Sequence, residues 1–394
     1  MLSLSTFAIA FVVRPFGGWL FGHYGDRIGR KTVLILTLVG MGGATTLVGL
    51  LPGYDTIGVW APVLLVVLRI VQGVSVGGET PGGFLLTFEH SERTGRVGLL
   101  TGTVSTGNIW GLLLSNGAFS LVNLLPRAQF DAWGWRLPFL FSAVLVAIGL
   151  YVRSRLEETP DFQEIKDRGQ VSRNPALDVL RQHPGNFIGV ILVTIPQSVY
   201  FYMPSVFALT YAARTHVTAS TVSLVVTITS AAVLFVMPVL GWLADRNGRP
   251  RAIFASGLVI MVVSPFLWFP MFDSWNLALV YVGFALMLGG FAANYGTQGM
   301  LYPTLFAPHL RYTATAVSVQ IGAVLGGAVA PLLAIWLLNA FGSWVPVAVY
   351  MSLTAVVALV ATAFLRVYVP AQTTQVPGTA RAEGSPTLIT PEVS

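Results

Sequence analysis

The chain contains no cysteine, which excludes disulfide frameworks and cysteine-ligated metal centres. Charge is nearly as scarce. Asp, Glu, Lys and Arg together make up 10% of the 394 residues, where a soluble domain carries about 25%. Lysine occurs only as Lys31 and Lys166, and no Gly-x-x-x-x-Gly-Lys-Ser/Thr loop appears, so nothing supports ATP-driven chemistry. There is no G-x-S-x-G, no H-E-x-x-H and no pair of acids inside an apolar run, so the chain is not read as an enzyme. His23, His309 and His216 flank polar loops as solvated or headgroup-level residues, and no two histidines have metal-ligand spacing. No cofactor or metal is expected. The net charge of +6 is not gathered on amphipathic elements, which disfavours a nucleic-acid partner.

What is abundant is apolar surface. Hydrophobic residues make up 54% of the chain, and mean hydropathy is +0.73. A soluble protein of this composition could not cover itself with polar groups. The reading is an all-α polytopic membrane protein, whose partner is the lipid bilayer. Runs near 3–22, 32–51, 59–81, 97–125, 137–153, 185–211, 217–242, 252–271, 276–300, 313–339 and 344–369 predict eleven spanning helices. Residues 154–184 form one long polar connection, and residues 371–394 read as a disordered tail. The expected organisation is a five-helix half (1–153), the middle loop (154–184), a six-helix half (185–370) and the tail. The start lacks a basic region and an A-x-A-like site, so no cleaved signal peptide is expected.

The cations set an orientation. Alternate connections and the tail hold 17 of the 22 Lys and Arg, while the opposite connections hold only Arg127, Arg136 and Arg214. A cation excess marks the cytoplasmic side. The middle loop and tail are therefore expected inside, in a plasma (inner) membrane.

One cluster recurs. Gly22-x-x-x-Asp26-Arg27-x-Gly29-Arg30-Lys31 returns as Gly241-x-x-x-Asp245-Arg246-x-Gly248-Arg249. A weaker echo pairs residues 77–107 with 289–322, so that Arg96 matches Arg311. Both cluster copies fall on the cytoplasmic side, which makes the halves parallel repeats, a transporter plan. The glycines permit close helix packing. Each aspartate sits at a helix boundary, where it can accept from a neighbouring helix N-terminus or an arginine. Two such loops would form a conformational latch.

Ionisable groups inside a span are costly and usually functional. Glu79 is the one acid well inside a span, with Glu89 at the inner end of the same helix. Glu79 is the first candidate proton carrier, alone or in a switchable pair with an arginine. Arg69, Gln72 and Glu79 share one helix face, expected to line a cavity. Arg14 could fork onto a substrate carboxylate, or pair with Glu79 or a helix end. In the second half the polar candidates are uncharged: Gln197, Tyr200, Tyr202, Asn294, Gln298 and Gln320.

The two G-x-x-x-D-R-x-G-R clusters resemble the signature loop of the major facilitator superfamily. RPFGGWLFGHYGDRIGRK, RIVQGVSVGGE, WGWRLPFLFSAVLVAIGLYVRSRLEETPDF and LRYTATAVSVQIGAVLGGAVAP resemble its metabolite:proton symporter family, which includes carriers for shikimate, 2-oxoglutarate, citrate, and proline or betaine. The resemblance covers residues 6–370. It implies the two-half major facilitator fold and a monomeric carrier. It also implies proton-coupled uptake of a small organic acid or zwitterion by alternating access, with Arg69 matching an arginine linked to proton coupling. The family has twelve spans, so one is expected to precede Met1, which reads as an internal methionine. The family's G-G-E-W-G is here GGETPGG, and its glutamate before L-F-P is absent from MLYPTLFAPHLR. A proton-antiporting exporter is the first alternative. It is disfavoured because GLLTGTVSTGNIWGLLLSNGAF lacks the Gly-Pro kink such members carry. A non-transporting sensor on the same scaffold is the second.

Overall fold

The structure is a computed structural model and describes residues 9–167 and 174–369. The tail expected at 371–394 lies outside the described residues, as does the start of the first run. Every regular element among the described residues is a helix. Thirteen carry the argument, beginning with α1 (Arg14–Ile28), α2 (Arg30–Leu50), α3 (Trp60–Ser91), α4 (Val97–Val122) and α5 (Leu137–Arg155). Then come α6 (Pro160–Asp167), α7 (Pro175–Gln182), α8 (Pro184–Ala212), α9 (Ala219–Asn247), α10 (Pro250–Asp273), α11 (Leu277–Leu301), α12 (Arg311–Phe341) and α13 (Val345–Phe364).

Ten of these, α2 to α5 and α8 to α13, are long and apolar enough to cross a membrane. The apolar window of α5 has no buried residue. A helix whose apolar side chains are outside the protein belongs in lipid. Two boundaries differ from the sequence reading. Helix α3 runs ten residues beyond 81, because Pro81 is absorbed inside it rather than ending it. The middle connection is not structureless, since it folds α6 and α7.

Helices α1, α2, α3 and α5 pack chiefly on one another, as do α8 and α10 to α13, while α4 lies chiefly against α9 and α11 of the other group. The two groups meet along two seams, α1 against α12 and α4 against α9. Both seams are stripes of small residues. A Cβ on Gly22 would lie 2.7 Å from the Thr313 Cα, and one on Gly241 would collide with the Gly98 carbonyl. Only glycine lets the backbones approach this closely. Helices α8 and α12 each contain a π-turn, Met203–Phe207 and Val324–Ala328. Both π-turns lie next to the central cavity, where such bulges re-aim side chains.

Candidate functional site

The central cavity has a volume of about 220 Å³ and lies between the two helix groups. Among the described residues, Arg14 is the one charged side chain on its wall. Its guanidinium sits 3.7 Å above the Phe11 ring and beside the Tyr202 hydroxyl. The buried Arg14 Nε has no hydrogen-bond partner among the described residues. Thr80, Asn108, Gln197, Ser198, Tyr295 and Gln320 supply neutral polar groups. Gln197 Nε2 donates to Asn294 Oδ1 at 2.7 Å and to the Tyr302 hydroxyl at 3.0 Å, while its Oε1 has no partner among the described residues. Asn108 donates to the Tyr295 hydroxyl. Phe201, Phe291 and Tyr295 form an aromatic wall, with the last two stacked at 5.0 Å. A guanidinium held in a pocket with no counter-charge among the described residues, and with its Nε donor open, is a candidate anion subsite.

The structure therefore brings Arg14, Gln197, Tyr202 and Gln320 together around one space. The other sequence candidates lie elsewhere. Tyr200 is buried in the second helix group and donates to the Met261 carbonyl. Asn294 stands behind Gln197 and bonds the Phe254 carbonyl at 3.2 Å. Gln298 is buried beneath Tyr295. The expectation that the Arg69–Gln72–Glu79 face lines the cavity is corrected. That face turns to α2 and α5 instead, with Arg69 donating to Gln72 at 3.0 Å and Gln72 to Thr45 at 2.8 Å. Glu79 forms an ion pair with Arg153 and accepts from Thr37 at 2.7 Å. It pairs with neither Arg14 nor Arg69. Helical spacing identified the shared face but not its neighbour. Val76, at the edge of the expected stripe, and Thr80, one residue on from Glu79, are the α3 side chains at the cavity. Thr80, Asn108 and Ser198 were missed because a lone hydroxyl or amide in a span carries no distinguishing pattern.

About 18 Å along α1 from Arg14, at a rise of ~1.5 Å per residue, the seam closes on the first Gly-Asp-Arg-Gly-Arg cluster. Asp26 accepts from the backbone N–H groups of Tyr312 at 3.3 Å and Thr313 at 2.9 Å, the first turn of α12. Asp245 does the same to α4, accepting from Gly98 at 2.7 Å and Leu99 at 2.9 Å. Each carboxylate caps the N-terminus of a helix from the opposite group, where the helix dipole and free N–H groups favour a negative charge. Gly29 and Gly248 both take positive φ, 108° and 60°.

The first cluster is wired further. Arg30 is fully buried, pairs with Glu89 at 3.0 Å and donates to the Pro308 carbonyl at 3.2 Å. Arg311 lies 3.5 Å from the same Glu89 and 3.0 Å from Asp161 of α6. Glu158 accepts from the backbone N–H of Arg30 at 3.0 Å and of Lys31 at 3.3 Å. Lys31 Nζ reaches the Ser154 carbonyl, and Arg27 donates to His23. In the second cluster Arg246 lies over Trp242 and Arg249 is exposed. His183 and His309 stand beside the latch end. Burial lowers the pKa of both, with the neighbouring His309 cation adding to the effect on His183.

The family model of the Major Facilitator Superfamily matches residues 1–318 and, again, 187–391. The chain is 36% identical to the shikimate transporter of Escherichia coli (strain K12) over 358 residues, 89% of this chain and 81% of the relative. It is 38% identical to an inner membrane metabolite transport protein of the same strain, over 86% and 78% of the two chains. With that strain's proline/betaine transporter the identity is 33%, over 91% and 73%. Among solved structures, the proton:xylose symporter XylE superposes with a TM-score of 0.69 at 18% identity, covering 91% of this chain and 85% of that one. The transporter FucP in its outward conformation also gives 0.69, at 14% identity and over 93% and 89%. These last two matches carry the fold: two packed helix groups around a cavity. The chain belongs to the major facilitator superfamily and is a metabolite transporter within it.

Proposed function

We propose that the chain is a proton-coupled symporter that takes up a small carboxylate-bearing metabolite by alternating access. The observation that carries this reading is Arg14, a guanidinium with its Nε donor open in a cavity whose other polar groups, among the described residues, are neutral. Shikimate, proline and betaine, the compounds named for the relatives, all bear a carboxylate. Such a group would fork onto Arg14, while Gln197, Asn108 and Gln320 fix the rest of the molecule by hydrogen bonds. The aspartate-capped seams would hold the cavity closed at the cytoplasmic end, the end marked by cations. Glu79 would exchange the coupled proton. Protonation removes the charge that holds Arg153, so the α3–α5 contact loosens as the proton is carried. The reading needs no cofactor beyond the proton and takes the transporting unit to be a monomer. The middle loop and C-terminus would face the cytoplasm of an inner membrane.

The test is uptake of labelled shikimate, proline and glycine betaine into proteoliposomes under an imposed inward proton gradient. Accumulation of one of them, abolished by a protonophore, is expected. Arg14→Gln should raise KM by roughly 10- to 100-fold, the worth of a lost charged hydrogen-bonded pair. Glu79→Gln should leave exchange intact and abolish accumulation. Accumulation that persists without any ion gradient would refute the coupling.

A further inference from the structure

An apolar groove of about 270 Å³ lies on the latch side of the α1–α12 seam, between α1, α7, α8 and α12. Trp19, Leu177, Leu180, Phe187, Thr313 and Val317 line it. Helix α7, PALDVLRQ, buries Val179 against the protein but leaves Leu177 44% and Leu180 51% exposed. A short helix that turns leucines outward next to charged residues is built to lie in a membrane interface. Trp19, an amphipathic aromatic of the kind that anchors at membrane interfaces, is 43% exposed.

Two exposed arginines, Arg27 and Arg181, stand on helices that line the groove. Trp19, His23 and Arg27 follow at intervals of four, so they form one stripe along α1. Arg27 is exposed and donates to His23 Nε2 at 3.1 Å. That bond makes His23 the acceptor and leaves Arg27's remaining donors free to point outward. On α7 the exposed Arg181 follows Leu180 directly. The acid of that helix, Asp178, is close enough to His309 to interact with it electrostatically.

We propose that this groove binds one anionic phospholipid from the latch-side leaflet. An acyl chain lies against Trp19, Leu180 and Val317, and the phosphate sits at Arg27 and Arg181. The lipid also steadies the closed latch. Thr313, on the groove wall, donates its backbone N–H to Asp26, and Trp19 lies on the helix that carries Asp26. The bound chain thus touches both sides of the seam that Asp26 holds shut. The apolar wall excludes a soluble metabolite, and the two guanidiniums select against a zwitterionic headgroup.

Native mass spectrometry of the purified full chain tests this, with palmitoyl-oleoyl phosphatidylglycerol set against phosphatidylcholine of the same chains. Each guanidinium contributes about fivefold, so one phosphatidylglycerol should bind roughly thirtyfold more tightly than phosphatidylcholine. Arg181→Gln should lose about fivefold of that preference. Leu180→Trp should displace the lipid by filling the groove, and inorganic phosphate should not displace it. Equal binding of the two lipids, or displacement by inorganic phosphate, would overturn the site. So would an intact phosphatidylglycerol adduct in Leu180→Trp. For the clamp, a cysteine placed at Ser198 in the cavity should react more slowly with a maleimide added from the latch side in phosphatidylglycerol liposomes than in phosphatidylcholine. Equal rates would overturn the clamp even if the lipid binds. None of these readouts depends on the transported substrate.

Discussion

The two copies of the Gly-Asp-Arg-Gly-Arg cluster share a motif and a backbone device, yet they differ in how charge is buried. In both, an aspartate caps a helix from the opposite group and glycines allow the seam to close. In the first copy Arg30 and Arg311 are buried around Glu89. In the second, the matching Arg249 and Arg96 are both exposed. The difference traces to the acid. The first group has Glu89 at the end of α3, while the corresponding stretch of the second group, MLYPTLFAPHLR, has no glutamate. An arginine without a buried counter-charge stays in water, because its desolvation would go uncompensated. A repeated sequence motif thus fixes the hinge geometry, and a distant acid decides which copy is held by a buried charge network.

Several substitutions break or sharpen that contrast. The largest effect is expected for Glu89→Gln, which strands the buried Arg30 guanidinium at a cost of about 3–5 kcal/mol, while Arg311 keeps Asp161. It should lower the melting temperature of the purified protein sharply and open the latch end. The double variant Glu89→Gln with Arg30→Met should recover part of the loss, since the uncompensated charge is removed. Gly241→Ala comes next. Its methyl meets the Gly98 carbonyl, and overpacking of this kind costs about 1–3 kcal/mol, read as a lower melting temperature and slower transport. Asp26→Ala and Asp245→Ala each remove a helix cap worth about 1–2 kcal/mol. The loss should be greater at the buried Asp26 than at the half-buried Asp245, when both are compared by thermal melts. Arg249→Gln should leave the melting temperature within error, whereas Arg30→Gln should not.

The spans, the repeat and the two capping aspartates were legible in the sequence, because long apolar runs and a motif repeated at fixed spacing are local signals. Arg14 was also legible as a charge out of place. What was not legible depends on which face of a helix meets which neighbour. Arg69, Gln72 and Glu79 were placed on one face by periodicity, but nothing local says that this face meets α2 and α5 while Val76 and Thr80 meet the cavity. Arg153 as the partner of Glu79, and Glu158 and Asp161 as members of the latch, come from chain segments far away in sequence. They looked like ordinary residues of a cytoplasmic connection. Tyr200 failed as a cavity residue for a similar reason. It sits two positions before Tyr202, which on a helix is nearly the opposite face.

The unequal latches can be tested in one measurement, because the chain is free of cysteine. A single Ser198→Cys reports access to the cavity through the rate of labelling by an impermeant maleimide added from the latch side. The account predicts slow labelling in the parent, a large increase on adding Glu89→Gln, and no increase on adding Arg249→Gln. Equal increases for the two variants, or none for Glu89→Gln, would contradict the claim that the first cluster and its buried charges hold the cavity shut.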